Sequence, residues 1–126
     1  MGVIPYSFTL WGAEWRVVWG WTGPQHWRGF RWNPKRLAGL CVFEPLKGNR
    51  IIILNPTLKS GSAIKRWEAF AHEVLHAITY EARFRRVSHW KGRDLSHSVI
   101  DRLEFPLAVF LMENARFGGE NERAGS

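Results

Sequence analysis

The sequence predicts an α+β fold, on two observations. Residues 6–54 contain short β-branched and aromatic runs separated by Gly, Pro and Asn, the pattern of strands and turns. From Ile64 onward, apolar residues recur at intervals of three and four, the period of an amphipathic helix. The expected architecture is a small antiparallel or mixed sheet of roughly three to four strands. It packs against a helix carrying His72-Glu73-Val74-Leu75-His76 and against a second, C-terminal helix.

The chain has 126 residues, enough for one compact core and too few for two. A single domain over 1–117 is expected, with 118–126 a polar, Gly-bearing, disordered tail. The strands fall at Tyr6–Leu10, Trp15–Trp19, Leu40–Phe43 and Arg50–Leu54. Gly20 to Asn33 mixes Gly, Pro, Trp and Arg without a period and reads as a long loop. Glu44 to Asn49 contains Pro45, Gly48 and Asn49 and reads as a hairpin turn, and Asn55-Pro56 ends the last strand.

Ser60 or Ser62 can cap the first helix, which should reach Ala82 or Phe84 on a stripe of Ile64, Trp67, Ala71, Val74 and Ile78. A basic connector, Arg83 to Arg93, leads to a second helix from Leu95 or Ser96 to Ala115. Its expected buried stripe is Ile100, Leu103, Leu107, Phe110 and Leu111, with Pro106 inside the helix.

Composition narrows the function classes. No stretch approaches the roughly 20 apolar residues of a membrane span, and the N-terminus lacks the basic and apolar segments of a signal peptide. A soluble, cytoplasmic protein is therefore expected. The single cysteine, Cys41, rules out an internal disulfide framework and a Cys-rich zinc site. A net charge of +7 suggests attraction to nucleic acid or other polyanions. Of the eight tryptophans, Trp11, Trp15, Trp19, Trp21, Trp27 and Trp32 fall in the first third, where they can thicken the core of a small sheet.

The chemistry lies in His72, Glu73 and His76. Histidines four apart on a helix project from one face about a turn apart, and both can reach one Zn²⁺ at about 2.0–2.1 Å. Glu73 lies beside them, where it can act as general base toward a metal-activated water and then protonate the leaving amine. A catalytic zinc site needs a third protein ligand. His97, Asp101 and Glu104 share one face of the second helix. Glu104 would complete a His/His/Glu site and His97 a three-histidine site; the other would orient a ligand or stabilise an oxyanion. His89, in the basic connector, is a further option, whereas His26 has no supporting context.

His72-Glu73-Val74-Leu75-His76-Ala77-Ile78, followed by Leu95-Ser96-His97, Ile100, Leu103-Glu104 and Leu111 to Asn114, resembles the small HExxH metallopeptidases of phages and prophages. More distantly it is similar to the minimal gluzincins of the ImmA/IrrE type. The resemblance covers roughly residues 50 to 114. It implies a sheet before the motif helix, zinc on His72 and His76, Glu73 as catalytic base and Glu104 as third ligand. Pro106 and the extra His97 depart from that pattern, and a SprT-like site would use His97 or His89 as third ligand instead.

The expected function is zinc-dependent peptide-bond hydrolysis on a protein or peptide substrate. Arg50 to Leu54 is a candidate edge strand for binding an extended substrate, with an interior strand as the alternative. A competing reading is a nucleic-acid-binding protein with a non-catalytic or DNA-linked metal site. It rests on Trp27-Arg28-Gly29-Phe30-Arg31-Trp32, Lys35, Arg36 and the cluster Arg83, Arg85, Arg86, Lys91 and Arg93.

Overall fold

In the computed structural model, Ser7–Leu10 (β1) and Ala13–Trp19 (β2) form an antiparallel hairpin closed by Trp11 and Gly12. Both turn residues have positive φ, 48° and 80°, the backbone that matches the twist of a two-residue hairpin. The structure describes residues 3–20, 38–86 and 96–115, and the backbone of 26–27 and 30–31. Those two short stretches, His26–Trp27 (β3) and Phe30–Arg31 (β4), pair with each other. The expected long loop therefore contains a small ladder. Its residues have no periodicity because two-residue strands are too short to show one.

Gly39–Glu44 (β5) and Asn49–Leu54 (β6) pair antiparallel across a 3-10 turn at Pro45–Lys47, closed by Gly48 in the left-handed region. The main sheet has the order β1-β2-β6-β5, with β2 and β6 parallel. It is a mixed four-stranded sheet. This corrects one expectation: Arg50–Leu54 is not an edge but lies between β2 and β5. Ile52, Ile53 and Leu54 are all fully buried, as a strand covered on both faces requires.

Asn55 stops β6. Its side chain accepts hydrogen bonds from the Thr57 N–H (3.0 Å) and the Thr57 hydroxyl (2.9 Å), and Pro56 starts a 3-10 turn to Ser60. Ser62 then precedes Ala63–Phe84 (α1). Alanines at 69, 71, 77 and 82 are buried along α1, because the helix runs between two layers and small side chains allow close approach. One side packs on β5 and β6; His97–Asn114 (α2) packs on the other. Ser96 caps α2 through its hydroxyl, which accepts from the Val99 N–H at 3.3 Å.

The buried face of α2 differs from the expected stripe. Ile100 is buried and Leu107 and Leu111 pack on the core, but Leu103 is 43% and Phe110 61% exposed, and Ala108 is buried in their place. The face turned toward α1 runs through Glu104 and Ala108, so the helix is rotated from the phase its apolar residues suggest. Pro106 lies on the exposed side.

Of the six tryptophans expected to thicken the core, Trp15 is buried, Trp19 packs against the core partly buried and Trp11 is half exposed. Trp21, Trp32 and the side chain of Trp27 lie outside the described residues, and Trp67 of α1 is also buried. Trp15 stacks between Phe8 (6.1 Å, 9°) and Phe43 (5.9 Å, 6°), and Phe43 stacks on Tyr80 of α1 (5.8 Å, 17°). Glu81, fully buried, closes this row. Its carboxylate accepts from Trp15 Nε1 (2.8 Å) and Arg50 Nε (2.6 Å), and Arg85 Nε lies 3.4 Å away. Among the described residues no helix is long and apolar enough to cross a membrane.

Candidate metal centre

α1 presents the motif on two faces. Glu73 is buried and turns toward the sheet, where it meets Gly39 of β5, while half-buried His72 and His76 face α2. His97, Asp101 and Glu104 come from the first two turns of α2. The structure thus brings together all the predicted site residues except His89, which lies outside the described residues. Two groups have ligand atoms within 4.8 Å of one another: His72, His76 and His97, and His72, Asp101 and Glu104.

Each histidine of the motif has an orienting neighbour. His72 Nδ1 lies 2.9 Å from Glu104 Oε2 and 3.8 Å from Asp101 Oδ1. The His76 ring stacks on Tyr80, one turn further along α1, at 6.0 Å and 22°. Tyr80 was not singled out from sequence, although its spacing of four from His76 is a usable signal.

Burial, and secondarily the negative charge of Glu104, pushes the Glu73 carboxyl from its ordinary 4.5 up to about 8. Burial also raises the Cys41 thiol well above its usual value, with help from Glu73 and Glu81. Although the residue as a whole is only half-buried, its thiol is enclosed and stays protonated, which separates Cys41 from the metal-ligand chemistry.

A cleft of about 350 Å³ opens beside Glu73, lined by Gly39, Leu58, Ala69, His72 and Glu104 among others. The start of β5 is pinned there by the Asn55 N–H donating to the Ala38 carbonyl at 2.8 Å. Gly39 has no sequence signature beyond that of a turn residue, yet the site depends on it. A Cβ at this position would stand 3.0 Å from Glu73 Cγ, 3.1 Å from Glu73 Oε2 and 3.1 Å from the Ile53 carbonyl. Gly39→Ala is therefore expected to displace the Glu73 carboxyl and lower stability by about 1–2 kcal/mol while leaving the histidines in place. Urea unfolding and zinc titration check this; unchanged stability would show that the strand yields freely.

Of the basic and aromatic patches, the side chains of Trp27 to Trp32, Lys35 and Arg36 and residues Lys91 and Arg93 lie outside the described residues. Arg83, Arg85 and Arg86 are exposed at the end of α1, and Arg85 is engaged with Glu81. Comparison of the chain with protein-family models, curated proteins and solved structures returned no match.

Proposed function

We propose that the chain is a zinc-dependent metallopeptidase of the minimal HExxH type. The observation that carries this reading is the convergence of His72, His76 and the α2 donors beside a cleft that His72, Glu104 and buried Glu73 line. Imidazole and carboxylate donors suit zinc, and their mutual approach within 4.8 Å fits a single ion held by His72, His76 and a donor from α2. A zinc ion bound there would supply Lewis-acid activation of a water and of the scissile carbonyl.

The protein's own residues do the rest. Glu73 in its deprotonated form, favoured as pH rises through about 8, takes the proton of the attacking water and returns it to the leaving nitrogen. Gly39 leaves room for that carboxyl. β5, the terminal strand of the sheet, takes over the role first expected of Arg50–Leu54. An extended substrate laid along it would pass the cleft at Ala38 and Gly39.

Removing metal with a chelator is expected to abolish cleavage of fluorescently labelled casein, and stoichiometric zinc to restore it. Cleavage that persists in thoroughly stripped protein, or its absence from zinc-loaded protein, contradicts the proposal.

A further inference from the structure

The donor from α2 can be identified from the histidine geometry. The ring centroids are 5.0 Å apart for His72 and His76, 5.1 Å for His76 and His97, and 6.1 Å for His72 and His97. Zinc–nitrogen bonds of about 2.0–2.1 Å put each imidazole centre roughly 3.2 Å from the ion, so tetrahedral angles separate ring centres by about 5 Å. Two of the three separations meet that spacing and the third exceeds it by about 1 Å. The long separation involves His97, the first residue of α2.

Glu104 is placed differently. Among the described residues it groups with His72 and Asp101, not with His76. Its short contact is to His72 Nδ1, at 2.9 Å. An imidazole whose Nδ1–H donates to a carboxylate keeps only Nε2 as a lone-pair donor. That is how carboxylates behind metal-binding histidines act: they fix the tautomer, hold the ring and raise its basicity. Asp101 Oδ1, 3.8 Å from the same nitrogen and 62% exposed, adds negative charge at the rim.

We propose that His72, His76 and His97 form a three-nitrogen ligand set and that Glu104 is a positioning residue holding His72 through Nδ1. This assignment rests on the metal-site reading above, and it reverses the role that the gluzincin resemblance gives Glu104.

Cobalt(II) is a suitable probe, because its visible absorption reports the donor set without requiring a substrate. Metal-stripped wild type, Glu104→Gln and His97→Ala would be titrated with it. Glu104→Gln should keep one Co²⁺ per chain and the wild-type band envelope, with affinity weakened within the roughly 10- to 100-fold range of an outer partner. His97→Ala should weaken affinity beyond that range and change the envelope. The reverse pattern, with Glu104→Gln losing the wild-type spectrum and His97→Ala keeping it, overturns the assignment. Failure of wild type to take up cobalt or zinc would overturn the metal-site reading itself. A second measurement needs no substitution: in long-range ¹⁵N–¹H imidazole spectra, zinc should shift a His97 ring nitrogen while His72 Nδ1 stays protonated. An unshifted His97 in zinc-loaded protein also overturns the assignment.

Discussion

Glu81→Ala is expected to lower stability by about 3–5 kcal/mol, the cost of breaking a buried ion pair by removing one partner. Glu81 is fully buried and joins three elements: Trp15 of β2, Arg50 of β6 and its own helix through Arg85. Alanine would leave the buried Trp15 N–H without its acceptor and strip the Arg50 guanidinium of its carboxylate. Arg50 also stands over the Phe43 and Phe84 rings, 5.6 Å and 6.0 Å from their centres, so loosening it disturbs the aromatic row beneath the site. Domains of this size are stable by about 5–15 kcal/mol, so the variant would sit near the limit of folding. Glu81→Gln keeps an acceptor for Trp15 and should cost less. Urea unfolding checks both; a loss below about 1 kcal/mol in Glu81→Ala would mean the network is not structural.

Glu73→Gln should carry the largest effect on activity. Glutamine preserves shape and hydrogen-bonding reach but cannot take a proton, so hydrolysis of labelled casein should fall by roughly 100- to 10,000-fold. Zinc binding should survive, because Glu73 belongs to neither group of converging ligand atoms. The variant should also fold, since a neutral amide matches the shape and charge of the protonated carboxyl that burial favours at a site only 6% exposed. Equal turnover in the two proteins would remove the general-base role.

Much of the fold was legible because its signals are local. The periods that place the two helices depend on neighbours three and four residues apart, and Ala63–Phe84 and His97–Asn114 fall within a few residues of the expected limits. Strand order is not local. A signal for it was present in the unbroken run Ile51-Ile52-Ile53-Leu54, which suits an interior strand better than an edge.

The buried face of α2 departs from its apolar stripe. Hydrophobic periodicity assigns polar residues to the outside, and here Glu104 lies on the inward face while Leu103 and Phe110 are outside. A helix that turns a carboxylate toward its partner defeats a purely apolar pattern. His72, Glu73 and His76 were readable from spacing alone. Gly39 and Glu81 were not, because what defines them is contact with residues 14 to 66 positions away.

The central claim is that His72 and His76 hold a metal. Its most direct test is a zinc titration of the stripped chain, followed by calorimetry, beside His72→Ala and His76→Ala. One zinc per wild-type chain, with stoichiometric binding lost in both variants, is the predicted result. No zinc uptake by wild type, or the same uptake by either variant, would contradict it.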